Sequence, residues 1–225
     1  MTISVVIPTW NEAGELPATL AHLRRVPEVL EQIVCDGGST DDTVALAQAA
    51  GARTLMAPRS RGGQLRRGAA LARGDVLWFV HADTRVPPTA GQAIEQTLAD
   101  PHVVAGACLK EFRDPPVLTW GSVGRCRWRM RWGQFAYADQ AIFVRRSELD
   151  AIGGVPDVPL MEEYLLCAAL RRRGRLALAE TVVTTSARRL RQRGVLRTYL
   201  RMAWINLRHQ LGASPETLAR IYERK

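Results

Sequence analysis

The sequence predicts an α/β fold with a mostly parallel central sheet, flanking helices and a C-terminal amphipathic helix. Three observations support this prediction. Short β-branched runs alternate with amphipathic segments up to about residue 112, which is typical of strand–helix units. Residues 76–80 are continuously apolar, as expected for a central strand that is covered on both faces. The chain has 225 residues, 47% of them hydrophobic, enough for one substantial core.

The first half contains the regular elements. Strands are expected at residues 3–8, 33–35, 53–57 and 76–80, and helices around 16–23, at 41–50 and at 62–72, with a further helix and strand ending near Phe112. Ser39 or Thr40 is expected to cap the helix at 41–50, and Gly51 follows its end. These elements define a predicted segment 1–112.

The second half breaks this alternation. Residues 113–137 are rich in Arg, Gly and Trp and are expected to form a functional loop or a short surface helix. A strand at 141–144, a helix at 162–172 and a strand at 176–184 complete a segment 113–190. The remaining segment, 191–225, begins with a basic amphipathic helix at 195–211. One face of that helix carries Leu196, Tyr199, Leu200, Ala203, Trp204, Leu207 and Leu211.

Charge and cysteine content limit the classes of function. A net charge of +9 predicts an anionic partner, for which a nucleotide phosphate, an RNA backbone and an anionic membrane surface are the alternatives. The four cysteines lack the spacing of a metal site and are expected to be reduced residues in or near the core. No basic n-region opens the chain, and no apolar run reaches the roughly 20 residues of a membrane span, so a cytoplasmic protein is expected.

Polar and acidic side chains follow three of the predicted strands. The clusters are Pro8, Thr9, Asn11 and Glu12; Asp36 and Gly37; and His81, Ala82 and Asp83. Ligands of parallel sheets bind at the carboxyl ends of the strands. Carboxylates there suit the N–H of a base or the hydroxyls of a ribose, and Asp83 suits a divalent cation. Either of the first two clusters alone is equally compatible with a turn or a helix cap, and Asp83 alone is more typical of a helix cap or surface residue. Three clusters at strand ends nevertheless favour a nucleotide site.

The stretches VVIPTWNE, DGGSTDDT and HADT resemble motifs of the family 2 glycosyltransferases of the GT-A fold, and most closely a small soluble bacterial subgroup. The resemblance extends from about Ile3 to Arg193. It implies a half that binds a nucleotide diphosphate sugar, an acceptor-binding half, and inversion at the anomeric carbon. Pro8, Thr9, Asn11 and Glu12 would line the nucleoside pocket. Asp36 and Gly37 would meet the base, which favours UDP over GDP.

The resemblance also implies a metal and a phosphate site. The family's Asp-any-Asp motif corresponds to His81, Ala82 and Asp83, so an imidazole replaces the first carboxylate. Asp83 and His81 would hold Mn²⁺ or Mg²⁺, and imidazole suits Mn²⁺ better. Arg61 and Gln64 match positions that help to hold the nucleotide, and a solvated arginine face is the alternative for the helix that follows.

Catalysis is expected from one carboxylate acting as general base. The family has a Glu-Asp pair at the start of a helix, which corresponds to Glu162 and Glu163, and we favour Glu163 as the base. Stabilisation of the helix dipole is the alternative role for the two acids. Arg188 or Arg189 is expected to reach the diphosphate.

The acceptor is the least defined partner. Asp139 and Gln140 match positions assigned to sugar or acceptor contact. Trp120, Trp128 and Trp132 alternate with arginines and suit a sugar ring, a lipid interface, nucleic acid or core packing. We therefore expect a hydroxyl acceptor, with a lipid-linked molecule and an anionic inner-membrane surface as one alternative. The competing functions are a nucleotide-sugar-binding protein without turnover and a basic nucleic-acid- or membrane-binding protein. Nucleic acid is the weaker prediction because it leaves the acidic strand ends unexplained.

Overall fold

A computed structural model describes residues 1–113 and 121–223 of the chain, without the side chains of Arg189 and Glu223. The strands are β1 (Ile3–Thr9), β2 (Val29–Asp36), β3 (Arg53–Met56), β4 (Val76–Phe79), β5 (Thr84–Arg85), β6 (Val103–Arg113), β7 (Phe143–Arg145) and β8 (Arg175–Ser186). They form one sheet in the order β3-β2-β1-β4-β7-β6-β8-β5. The pairs among β1 to β4 and the pair β6–β8 are parallel, whereas β7 is antiparallel to β4 and β6, and β5 is antiparallel to β8.

Helices cover both faces of this sheet. They are α1 (Leu16–Leu23), α2 (Thr43–Ala49), α3 (Arg61–Leu71), α4 (Ala90–Leu98), α5 (Ser122–Gly133), α6 (Arg146–Ala151), α7 (Glu162–Leu170), α8 (Arg188–Arg193), α9 (Val195–Gln210) and α10 (Pro215–Glu223). Alternate residues of β1 point to opposite faces, so Val5 belongs to the core covered by α1, α2 and α4, and Val6 belongs to the core covered by α3, α6 and α7. The prediction of a mostly parallel sheet between helices is confirmed.

Strand register brings the predicted polar clusters to one edge of the sheet. Thr9, the last residue of β1, is opposite Asp36, the last residue of β2, and Val6 is opposite Phe79 at the end of β4. Because these strands are parallel neighbours, the residues that follow them emerge together. The predicted alignment of strand ends is therefore confirmed for all three clusters.

Several local expectations need correction. Neither Ser39 nor Thr40 caps α2, which begins at Thr43 after Asp42 and has no side-chain cap. Ser39 accepts a hydrogen bond from the backbone N–H of Asn11, and the backbone N–H of Thr40 donates to the Asn11 side chain, both at 2.8 Å, so both residues fix the first loop instead. The short elements β5, α6, α8 and α10 were not predicted.

The second half continues the same sheet. β6 pairs with β7 and β8, which lie beyond residue 113. In the described part of the predicted loop at 113–137, α5 corresponds to the surface-helix alternative; residues 114–120, with Trp120, lie outside the described residues. The segment boundaries at 112 and 190 stay predictions. The C-terminal segment has two helices, α9 and α10, and no helix within the described ranges is long and apolar enough to cross a membrane.

The cysteines are buried and free, as predicted. Burial raises the pKa of Cys35 and of Cys108 to about 12 and that of Cys167 to about 11, so these groups are thiols at neutral pH. They therefore act as small apolar residues in the core.

Gly68 sets the distance between α3 and the sheet. A Cβ atom at this position would lie 2.4 Å from Val6 Cγ1 and 2.5 Å from Cys35 Sγ. These contacts are closer than packed atoms allow, so only glycine lets α3 lie this close to β1 and β2. The helix carries Arg61 and Gln64, and its position therefore fixes theirs.

We predict that Gly68→Ala lowers the free energy of unfolding by about 1–3 kcal/mol, because the added methyl overpacks the contact between α3 and the sheet. The matched control is Gly124→Ala in α5, where a Cβ atom would have no neighbour within 4 Å. That change should be neutral or stabilise by up to about 1 kcal/mol through helix propensity. Urea unfolding of both variants measures the difference, and equal effects would contradict the packing argument.

Candidate active site

The loop after β1 is held by hydrogen bonds to the loop after β2. The Thr9 hydroxyl donates to Asp36 Oδ1 at 3.0 Å, and Asn11 adopts a left-handed conformation with φ 52° that its contacts with Ser39 and Thr40 support. The backbone N–H of Glu12 donates to Thr43 Oγ1 at 2.8 Å. Both loops therefore form one rigid polar rim.

Asp36 is almost fully buried beneath this rim. Its Oδ2 accepts the backbone N–H groups of Gly38 at 2.9 Å and of Ser39 at 2.7 Å, and its Oδ1 accepts the hydroxyls of Thr9 and Ser39. The carboxylate thus shapes the turn that contains Gly37, and contact with a base would compete with one of these hydrogen bonds.

The Gln64 side chain, on α3, links the carboxyl ends of β1 and β2. Its Nε2 donates to the carbonyl oxygens of Thr9 and Cys35, both at 2.7 Å, and the residue is buried. Gln64 therefore stabilises the rim on which the predicted nucleoside pocket depends, and its amide nitrogen is directed at the protein backbone.

The segment after β4 faces two ways. His81 lines a small cavity with Pro8, Glu162 and Glu163. Asp83 faces β8, where its Oδ1 accepts the Thr185 hydroxyl at 3.1 Å, and the Ala82 carbonyl accepts the Thr19 hydroxyl at 2.6 Å. Within residues 1–113 and 121–223, no group of three His, Cys, Asp or Glu side chains could hold a metal ion.

The two residues predicted to hold a divalent ion, His81 and Asp83, thus face different neighbours, and an ion bound to either of them would need oxygens from a substrate to complete its shell. A single carboxylate such as Asp83 suits an ion that carries nucleotide phosphates, because such ions commonly use one or two carboxylates and complete their shell with phosphate and water. The His81 imidazole suits Mn²⁺ better than Mg²⁺. Asp83 Oδ1 accepts the Thr185 hydroxyl, so Oδ2 is the oxygen that would face an ion.

Glu162 and Glu163 open α7 and are both buried, with Glu162 1% and Glu163 5% exposed. Arg61, at the start of α3, reaches both acids: its Nε donates to Glu162, and its Nη2 donates to Glu163 Oε2 at 3.1 Å. The second oxygen of Glu162, Oε2, is buried and has no hydrogen-bond partner among the described residues. One guanidinium thus balances two carboxylates, and one oxygen is left to accept a further proton donor.

The electrostatics of this group follow from burial and like charge. Burial, and then the negative charge of Glu162, raises the pKa of Glu163 to about 7, while Arg61 opposes that shift. Burial lowers the pKa of Arg61, but the two carboxylates raise it by more, so the guanidinium stays charged. A carboxyl that titrates near neutral pH is suited to exchange protons with a substrate.

Gly62 permits the approach that builds this group. A Cβ atom there would lie 2.5 Å from the Pro156 carbonyl oxygen and 2.6 Å from that of Val158. The start of α3 therefore packs directly on the chain that leads into α7. Met161, just before Glu162, is buried with φ 69°, a strained value for a non-glycine residue that the packing holds in place.

The predicted acceptor residues divide into two groups. Asp139 binds Lys110 at 2.7 Å, and Gln140 is fully buried with its Oε1 accepting the Tyr137 N–H at 3.1 Å. Burial raises the pKa of Asp139, but Lys110, His81 and Arg129 lower it by more, so it is an anion with a net lowered pKa. Trp128 and Trp132 are exposed on α5, by 68% and 71%, and do not line the small cavity.

A basic cavity was missed by sequence reasoning. It has a volume of about 450 Å³, and its wall consists of Glu15, Arg85, Arg113, Ser186, Ala187, Arg188, Arg191 and Gln192. Arg188 donates to Glu12 Oε2 at 2.8 Å, and Arg113 donates to the Asp83 carbonyl oxygen at 2.8 Å. The cavity therefore adjoins two of the strand-end clusters. The Arg189 side chain lies outside the described part of the structure.

We predict that Glu163 makes stability depend on pH. The Glu163 pKa is about 7 in the folded chain and near 4.5 when free. Protonation of Glu163 therefore contributes fully to the free energy of unfolding below about pH 4.5, and that contribution is lost as the pH rises through about 7. Gln cannot titrate at this position, so the free energy of unfolding of the Glu163→Gln variant, relative to that of the natural chain, should increase from about pH 5 to about pH 8. Urea unfolding of both proteins across that range measures it. Parallel curves would contradict the assigned pKa.

Comparison with known proteins agrees with this geometry. A family model described as Glycosyl transferase family 2 matches residues 4–150, which is more than half of the chain. One relative is undecaprenyl-phosphate 4-deoxy-4-formamido-L-arabinose transferase of Pseudomonas paraeruginosa, 30% identical over 53% of this chain and 39% of its own length. The chain spans between 28% and 61% of the lengths of such curated relatives.

Solved structures share the fold. Mannosyltransferase PcManGT from Pyrobaculum calidifontis, in complex with GDP-Man and Mn²⁺, has a TM-score of 0.66 and 21% identity over 81% of this chain and 56% of its own. Glucosyl-3-phosphoglycerate synthase from Mycobacterium tuberculosis, with Mn²⁺ and UDP-Glc, has a TM-score of 0.61 and 24% identity over 82% of this chain and 69% of its own. The sheet is thus that of a GT-A fold, and the chain belongs to glycosyltransferase family 2.

Proposed function

We propose that the chain is an inverting glycosyltransferase that moves a sugar from a nucleotide diphosphate donor to a hydroxyl acceptor. The observation that carries this proposal is the buried pair Glu162 and Glu163, bound to Arg61 and sharing a cavity with Pro8 and His81. The cavity joins the strand ends where a nucleotide would bind to carboxyls that can take a proton. Membership of the family supports the same reaction class.

Glu163 acts as the general base in this proposal. The acceptor hydroxyl attacks the anomeric carbon as Glu163 removes its proton, a new glycosidic bond forms, and the bond from that carbon to the diphosphate oxygen breaks with its electron pair leaving on the diphosphate. Its raised pKa, about 7, keeps a useful fraction of carboxylate at neutral pH while making that carboxylate a stronger base. Arg61 holds both acids in place.

The leaving diphosphate is stabilised by positive charge. Arg188 donates to Glu12, a residue of the proposed nucleoside pocket, and lines the basic cavity, and Arg189 is its proposed companion. When bound at Asp83 and His81, a divalent metal would offset negative charge on the departing diphosphate. Mn²⁺ in the two related structures supports a divalent cofactor for this chain.

UDP is the proposed nucleotide, with GDP as the alternative. Thr9, Asn11, Glu12, Asp36 and Gly37 form the rim against which the nucleoside would rest. The related structures carry UDP-Glc in one case and GDP-Man in the other, so the fold accommodates both bases. The Asp36 carboxylate could accept the ring N–H of uracil, and that of guanine equally, so the choice of UDP rests on the resemblance of the DGGSTDDT motif rather than on this contact.

A lipid-linked hydroxyl compound is the proposed acceptor, used at a membrane surface. The undecaprenyl-phosphate transferase supports this choice by its name. Asp139 and Gln140 directly follow Ala138, which lines the small cavity, and Trp128 and Trp132 offer exposed rings for a sugar or lipid. A nucleotide-sugar-binding protein without turnover remains the competing function, and the base substitutions below distinguish it.

We predict that donor binding depends on Asp36 and on metal. Calorimetric titration with UDP, GDP and their sugar conjugates, with and without Mn²⁺, should give metal-dependent binding of one nucleotide series. Asp36→Ala should abolish that binding, because it removes the acceptor of four hydrogen bonds that shape the rim.

Asp42→Ala is the control, since Asp42 is exposed in the same loop and makes no side-chain cap. Equal loss in both variants would point to general disruption of the loop. Failure of every nucleotide to bind the natural chain would overturn the proposed donor.

We predict that Glu163→Gln lowers the transfer rate at least about 100-fold while leaving donor affinity within about twofold, since a general base contributes on that scale. The measurement is release of nucleoside diphosphate in the presence of an acceptor that supports turnover. Glu162→Gln is the matched variant one residue away, with a smaller expected loss. A larger loss in Glu162→Gln would assign the base to Glu162, and unchanged rates in both would favour binding without turnover.

A further inference from the structure

The helix α9 presents an apolar surface that nothing in the described chain covers. The apolar stripe consists of Leu196, Leu200, Ala203, Trp204, Leu207 and Leu211, the last just after the helix. Its large members are strongly exposed: Leu196 64%, Leu200 62%, Trp204 51%, Leu207 46% and Leu211 73%. Single exposed leucines are common, but a continuous exposed row marks an interaction surface.

Helix geometry shows that these residues form one face. At about 100° per residue the stripe occupies an arc of about 100° and extends for about 22 Å. The opposite face packs inward, where buried Ile205 meets Met161 and Leu218. The helix thus uses one apolar face to attach to the fold and keeps a second one towards solvent.

An arginine row borders the stripe. By the same rotation Arg197, Arg201 and Arg208 follow one another along one edge of it. Arg208 lies 5.9 Å from the Trp204 ring centroid, and Arg201 donates to the Ile221 carbonyl oxygen at 2.8 Å, which links that edge to α10. Leucine and tryptophan beside arginine is the composition of helices that lie in the interface of an anionic bilayer.

We propose that the apolar stripe of α9 docks on the surface of a bilayer that contains anionic lipids, with the arginine row at the headgroups. Charge complementarity decides between a bilayer and a second copy of the chain. A twofold contact would bring two faces bordered by arginines together in a protein that already carries +9, whereas an anionic surface attracts the same row. The functional role of this docking rests on the proposed function, because docking would bring the candidate active site to a lipid-linked acceptor.

The test is flotation of the full chain with vesicles of phosphatidylcholine and phosphatidylglycerol, and with vesicles of phosphatidylcholine alone. We expect binding to the anionic vesicles that is at least about tenfold stronger than to the neutral ones and weaker at high salt. Leu200→Gln combined with Leu207→Gln should lower binding at least about tenfold. Arg197→Glu should weaken binding to the anionic vesicles while changing binding to neutral ones little.

The matched control is Leu30→Gln combined with Leu71→Gln, because these leucines are exposed by 51% and 44% on β2 and α3. It should bind vesicles like the natural chain. Equal loss in both double variants, or no vesicle binding by the natural chain, would overturn the proposal. A dimer in sedimentation velocity that the α9 variant dissociates, without vesicle binding, would assign the stripe to a second copy.

Vesicle binding needs neither donor nor acceptor, so it is independent of the proposed transfer reaction. Calorimetric nucleotide binding by the α9 double variant should match that of the natural chain. Vesicle binding without nucleotide binding would support the docking surface and overturn the proposed function. Nucleotide binding without vesicle binding would support the proposed function and overturn the docking surface.

Discussion

The burial of Glu162 and Glu163 beside a single guanidinium is the constraint on which the rest of the site depends. Two adjacent carboxylates cannot both be charged in a poorly solvated place without a compensating cation, and Arg61 is that cation. Its position requires the start of α3 to touch the chain before α7, which Gly62 permits. The protein therefore keeps an electrostatically costly group at the point where the proposed reaction needs a proton acceptor.

The same helix connects this charge group to the nucleotide side. Within one turn of Arg61, Gln64 binds the carbonyl ends of β1 and β2, and Gly68 allows α3 to lie close against those strands. A displacement of α3 would therefore move the acids and the strand ends together. The orientation of donor and base is thus set by one packed helix rather than by two independent loops, which suits a reaction that depends on the relative position of two substrates.

Sequence reasoning succeeded where the signal was local and periodic. The β1 to β4 strands, α3 and α7 follow from runs of apolar residues with fixed periods, and the clusters after Ile7, Cys35 and Val80 follow from where those runs end. The contacts of Arg61 could not be predicted this way, because Glu162 and Glu163 are about a hundred positions away in the chain. The basic cavity was missed for the same reason, since its arginines come from three separate places in the sequence.

The α9 helix shows why a correct local prediction can leave the partner open. Its sequence pattern predicted an amphipathic helix, and apolar periodicity usually identifies the face that a fold buries. Here the buried contact is made by Ile205, on the side opposite Leu200 and Leu207. Only the tertiary structure shows that Met161 and Leu218 pack against the Ile205 face of α9. The longer apolar stripe therefore stays exposed and available to a partner outside the chain. Local patterns that the fold does not use are expected at functional surfaces, and this stripe is such a pattern.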